Sequence, residues 1–245
     1  MADVISVVDQ KLRRAEKLWT RRSLWEKDWL DLADLGVPNK ALELRKAVGG
    51  TSIARRLYAS APIKAIKDLA AAMQGTLTNS AIKWAFLKFP IEELNLDPDA
   101  SFWLEGLTDQ MFLLFQQSNL AAELSEAYID ISAFATTAIL EDEDDVSKDV
   151  FGLRFRTLTI GEYAIAENNK GRPDTLYRRF EMTAQQLVEK FTLEKVSQKV
   201  KDEYDKKNFD RRFLVLHAVE ARESSVVSTD PTAPGNRRPY GSWYI

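Results

Sequence analysis

LRFRTLTIGEYAIAENNKGRPDTLYRRFEMTAQQLVEKF, residues Leu153 to Phe191, decides how this chain is read. Leu153 and Phe155 alternate with Arg154 and Arg156, the period-two pattern of a half-buried strand. A second strand follows, and Asn168-Asn169-Lys170-Gly171 then supplies a turn, because Asn and Gly tolerate positive φ. A third strand leads to Thr183, and Gln186 three residues later completes a capping box ahead of Leu187, Val188 and Phe191. The stretch therefore predicts strands running into a capped helix, and no residue in it forms a catalytic motif.

Working outward towards the C-terminus, Lys195 to Lys207 reads as a charged helix. Phe213-Leu214-Val215-Leu216-His217-Ala218-Val219-Glu220 is apolar enough for a central strand, which makes His217 a structural histidine. Ser224 to Pro239 is rich in Ser, Thr, Pro, Gly and Asn and predicts a loop. Tyr240 to Ile245 starts a further strand, for which a partner strand or a continuation is expected. On the N-terminal side, Ala135 to Leu140 is β-like. The acidic run Glu141-Asp142-Glu143-Asp144-Asp145 lacks the Gly and the spaced ligands of a calcium loop, so it predicts a solvated hairpin tip.

Before Phe134 the rhythm is helical. Val8, Leu12, Ala15 and Trp19 form one stripe, and Trp25, Trp29 and Leu32 continue it with a shift after Thr20–Ser23. The opposite face carries Lys11, Arg13, Arg14, Lys17, Arg21, Arg22 and Lys27. Asp9, Glu16, Glu26, Asp28 and Asp31 interrupt that field, which favours a solvated face or a subunit contact over a phosphate stripe. Gly36-Val37-Pro38-Asn39 and Gly49-Gly50 break the pattern. Ser60-Ala61-Pro62 opens a second helix with Ile63, Ile66, Ala70, Met73 and Leu77 inward. Asp97-Pro98 opens a third, with Leu104, Leu107, Met111 and Leu114 inward and Trp103, Phe112 and Phe115 widening the face. After Ser118, Asn119 is positioned to cap a fourth, with Leu124, Tyr128 and Ile131 inward. Helices so closely joined are expected to be neighbours.

Composition removes several functions. With no cysteine, a thiolate zinc site or Cys nucleophile is impossible, and with one histidine a metal site would have to be built from carboxylates. A net charge of −3 is a poor footprint for a tight non-specific nucleic-acid binder. The N-terminus has no apolar core of signal-peptide length, and no window approaches the roughly 18 apolar residues of a membrane span. No Walker loop, GxGxxG, HExxH, GxSxG or CxxC is present. Gly49-Gly50-Thr51-Ser52 lacks the lysine of a phosphate loop. These readings predict an α+β chain, helical over residues 1–140 and β-rich over 141–245, forming one body without cofactor, metal or catalysis.

Four sets of residues carry a resemblance. The first is Tyr58-Ala59-Ser60-Ala61-Pro62-Ile63 with Leu69 to Ser80 and Trp84. The second is Leu107-Thr108-Asp109, the Ser118-Asn119 break, and Tyr128-Ile129-Asp130 leading to Phe134 and Thr137-Ala138. Gly161-Glu162-Tyr163, Ala166-Glu167-Asn168, Gly171, Asp174, Tyr177-Arg178-Arg179-Phe180 and Thr183 make the third. His217-Ala218-Val219-Glu220 with Arg222-Glu223 makes the fourth. In this order they resemble the head-to-tail connector, or portal, proteins of short-tailed bacteriophages, over nearly the whole chain.

The resemblance implies a dodecameric ring at the portal vertex of the virion, assembled in the host cytoplasm. Duplex DNA would pass through its channel, with terminase, capsid or scaffold protein and a tail adaptor as partners, and ATP hydrolysis would belong to the terminase. It covers the wing-like N-terminal body, while the family's stem, clip and crown lie beyond it. It also recasts Arg178 and Arg179, with Arg13, Arg14, Arg21 and Arg22, as ion-pair, subunit or partner contacts. The alternative is a DNA-binding module using the basic face of the first helix. A carboxylate-based metal nuclease is a third class, which nothing in the spacing recommends.

Overall fold

A computed structural model of the chain describes residues 2–45, 59–147, 150–222 and 239–245. Gly49-Gly50-Thr51-Ser52 and nearly all of the Ser224–Pro239 segment lie outside the described residues. The architecture is α+β: α1 (Ala2–Gly36), α2 (Pro38–Leu44), α3 (Ala61–Leu77), α4 (Glu92–Leu96), α5 (Pro98–Gln117), α6 (Leu120–Phe134), β1 (Ala138–Ser147), β2 (Val150–Leu158), β3 (Tyr163–Glu167), β4 (Pro173–Thr183), α7 (Ala184–Lys195), α8 (Gln198–Asp205), β5 (Arg212–Ala221) and β6 (Tyr240–Tyr244). The elements pack as two compact units: Met1–Trp25 with Glu162–Ile245, and Glu26–Gly161. The Leu153–Phe191 stretch therefore contributes to both, and the chain passes between them after Gly161.

The first unit is built on an antiparallel sheet of order β3-β4-β5-β6. Its hairpin closes as the turn residues predict. Asn168 accepts on Oδ1 from the Lys170 and Arg172 amides at 2.8 and 3.1 Å, and Gly171 sits at φ +71°, where a Cβ would be strained. The Thr183–Gln186 capping box forms with both its bonds and starts α7. Side-chain alternation gives the sheet two apolar faces. On one, Tyr177, Leu216 and Ala218 pack against Ala15, Leu18 and Trp19 of α1. On the other, Phe180, Phe213 and Val215 pack against Ala184, Leu187 and Val200 of α7 and α8. The apolar strand Phe213–Glu220 is central, as its composition predicts, between β4 and β6.

The second unit gathers Ala33, Val37 and Ala41 around Phe134 and Ile160. Here α3 packs on α6, joined by Gln74 Nε2 donating to the Ala121 carbonyl at 2.8 Å and by a Thr78–Tyr128 hydroxyl bond of 3.0 Å. The two-stranded ribbon β1-β2 joins through aromatic contacts: Trp84 meets Phe112 and Phe115, and Phe115 meets Phe155 edge-on at 6.1 Å.

Three local expectations are corrected. Asn119 makes no cap bond on α6; its amide instead exchanges two 2.8 Å bonds with the backbone N–H and C=O of Phe155. Satisfying a strand's backbone wins over a helix cap, and Ser118 Oγ accepts from the Leu120 amide in its place. Trp103 and Leu77 are more than half exposed instead of lying in the core. The acidic run belongs to strand β1 and is not a tip; the Ser147–Val150 connection lies beyond it.

Candidate functional site

The charged face of α1 meets the sheet at one residue above all. Glu220, near the end of β5, is 5% exposed, and removing a carboxylate from water is costly unless its charge is matched. Three groups match it: Lys11 Nζ and the Tyr177 hydroxyl each make a short hydrogen bond to it, and Arg14 Nη1 lies at 3.0 Å. Arg14 also donates to Thr175 Oγ1 at 3.2 Å. Burial alone would raise the Glu220 carboxyl, but the hydrogen bonds from Lys11 and Tyr177 hold it below its ordinary value. Burial, reinforced by the Glu220 charge, pushes the Tyr177 hydroxyl well up, so Tyr177 remains a proton donor.

Backbone pairing explains why these groups coincide. Thr175 lies opposite Glu220, and Tyr177 opposite Ala218. β6 adds Trp243 opposite Ala218 and Gly241 opposite Glu220. The Trp243 indole folds back over Gly241, in the volume a Cβ would take, and Lys11 Nζ sits 4.2 Å above the ring. Ala15, fully buried, lets α1 approach Tyr177 closely.

The arginines singled out from the sequence separate into two groups. Arg22 is buried and donates from Nη1 to the Tyr163 carbonyl at 3.0 Å. Arg178, 3% exposed, donates from Nε to Glu162 at 3.1 Å and lies 4.0 Å over the Phe180 ring. Arg179 covers Trp19 at 4.0 Å, and Arg14 joins the Glu220 network. Arg13 and Arg21 point to solvent. Composition and spacing could not find Lys11, Glu220 or Tyr177 as a group. The one available signal was a glutamate closing an otherwise apolar strand.

His217 is buried against the opposite sheet face, stacked 4.1 Å from Tyr244, with Nε2 2.9 Å from Ser242 Oγ. The helical unit has its own buried carboxylate, Asp130, 1% exposed and 3.2 Å from Lys40 Nζ, which also reaches Glu126 at 3.2 Å. Burial pushes the Asp130 carboxyl up to about 6 despite Lys40. Among the described residues no cluster of His, Cys, Asp or Glu is arranged to hold a metal ion, and no helix is long and apolar enough to cross a membrane. These buried charges are arranged as ties between α1 and the sheet and between α2 and α6.

The sequence matches the family of bacteriophage head to tail connecting proteins over residues 8–245. It is 31% identical over 214 residues to the probable portal protein of Bordetella phage BPP-1, across 86% of this chain and 38% of that protein. It is 27% identical over 240 residues to the portal protein of Salmonella phage epsilon15, across 97% of this chain and 42% of that protein. The chain spans about two fifths of the length of these curated relatives.

Proposed function

The chain belongs to the bacteriophage head-to-tail connecting proteins, and from that membership we propose that it serves as a structural portal subunit. In this reading copies assemble into a dodecameric ring at one capsid vertex, in the host cytoplasm, and become part of the virion. DNA passes through the ring during packaging and ejection. The terminase, capsid or scaffold protein and a tail adaptor dock on it. The subunit contributes no catalysis; its charged residues hold helices to sheet and copy to copy.

The observation that carries this reading is the extent of the family match, residues 8–245, which includes nearly all of both units. The internal ties support it, because a ring that transmits packaging force needs subunits held rigid by matched charges and packed apolar faces. A net charge of −3 is also suitable for a conduit through which a polyanion slides without being gripped.

The test is the assembly state of the purified full-length protein, by sedimentation velocity and negative-stain imaging. Closed rings are expected. A full-length protein that stays at the mass of one subunit at every concentration sinks the proposal.

A further inference from the structure

Arg13, Lys17 and Arg21 stand four residues apart on α1 and are all exposed. Among the described residues none of them makes an ion pair, unlike Lys11 and Arg14 on the sheet-facing side. A helix rises about 1.5 Å per residue, so the three cations are spaced at about 6 Å intervals along one line.

Strand β1 carries the complementary pattern. Glu141 and Glu143 are exposed on the β1 side of a ribbon face whose β2 side carries Phe155, packed on Phe115 of α5, and Leu153, so no cation lies across from them. Asp142, on the other face, lies opposite Arg154. The backbone alternation continues through Asp145, opposite Phe151. Same-face positions on a strand repeat about every 6.7 Å. Two rows of opposite charge thus have nearly the same spacing.

We propose that the Arg13–Lys17–Arg21 stripe of α1 seats the Glu141–Glu143 face of strand β1 from a neighbouring copy of this chain. The inference rests on the ring reading and names the surfaces that meet within it. The stripe and the acidic face are different patches from different units, so the contact is head-to-tail, the type that propagates around a ring. Exposed ion pairs are individually weak, so the row acts together, steering the encounter, fixing register and adding to the stability of the contact.

The test makes two charge reversals in the full-length protein, Arg13→Glu/Lys17→Glu/Arg21→Glu and Glu141→Lys/Glu143→Lys, followed by sedimentation velocity, with far-UV circular dichroism to verify folding. Each variant alone should lose the assembled species. An equimolar mixture should recover it, since each variant then offers the charge the other lacks. On the unmodified chain, raising ionic strength to about 1 M, where the screening length falls to about 3 Å, should shift the assembly towards monomer. Assembly that persists in both variants and in high salt overturns this inference and leaves the ring reading standing. Loss in each variant without recovery in the mixture also overturns it. An unmodified full-length protein that never exceeds monomer mass removes the ring reading itself. Loss of duplex DNA binding in the arginine variant with assembly intact reassigns the stripe to DNA and overturns the inference.

Discussion

A carboxylate held out of water by two cations and a phenol, as Glu220 is, stabilises the fold only while all its partners are present. The Glu220→Gln substitution keeps the shape and removes the charge, leaving Lys11 and Arg14 beside a neutral amide. We expect a loss of about 2 kcal/mol, seen in urea unfolding as a lower midpoint at unchanged slope. The pH sign follows from a folded value held below the ordinary 4.5. Its contribution is complete above that value and disappears as pH falls through the lower, folded one, so the gap between wild type and the variant should close in acid. Gly241 is a second sensitive residue. A methyl there meets the Trp243 ring, so Gly241→Ala should destabilise the sheet unit by about 1–3 kcal/mol, as overpacking does, with a change in tryptophan fluorescence.

At the scale of elements, Asn119 couples the start of α6 to β2. Asn119→Ala strands the Phe155 N–H and C=O and should cost about 1–3 kcal/mol, with faster exchange of the Phe155 amide as the site-specific readout. The α2–α6 tie has the opposite pH sign to Glu220. Asp130 is raised from 3.8 to about 6, so its proton is held more tightly in the folded state. The stability tied to that proton is present below 3.8 and lost as pH rises through about 6. Two pKa units at 1.36 kcal/mol each correspond to about 3 kcal/mol. Lowering pH from about 7 to about 5 should strengthen the helical unit by about 1 kcal/mol, a little under half of this, and Asp130→Asn should flatten the response.

Helix α1 shows what the sequence pattern made legible among the elements. The stripe shift after Thr20–Ser23 marks where the helix leaves one unit for the other, near Trp25. The helix runs on through this point, with the Thr20 and Ser23 hydroxyls donating back to the Glu16 and Thr20 carbonyls at 2.9 and 2.7 Å. The Asn168–Gly171 turn and the Thr183–Gln186 cap were also legible, since each is fixed by residues at most four apart. Asn119 was misread because its local option, the cap, loses to a strand that arrives 36 positions later. Lys11 and Glu220, 209 positions apart, offered no local signal. Of the arginines picked from the sequence, nothing in spacing separated Arg22 and Arg178, which are buried, from Arg13 and Arg21, which are exposed.

For the molecule as a whole, one unit is continuous in sequence, while the other is assembled from both flanks of it. This division predicts independent local opening. In hydrogen exchange, Glu220→Gln should lower protection in β4 and β5 while leaving α3 and α6 unchanged; uniform loss in both would show that they open together. The Lys11–Glu220 tie also sets an order in time. Translation at roughly 5–20 residues per second puts about 10–40 s between the emergence of its two ends. The Glu26–Gly161 unit has its whole sequence available long before β5 exists. Until β5 is made, Ala15, Leu18 and Trp19 on the first half of α1 lack the Leu216 and Ala218 side chains that cover them in the folded unit.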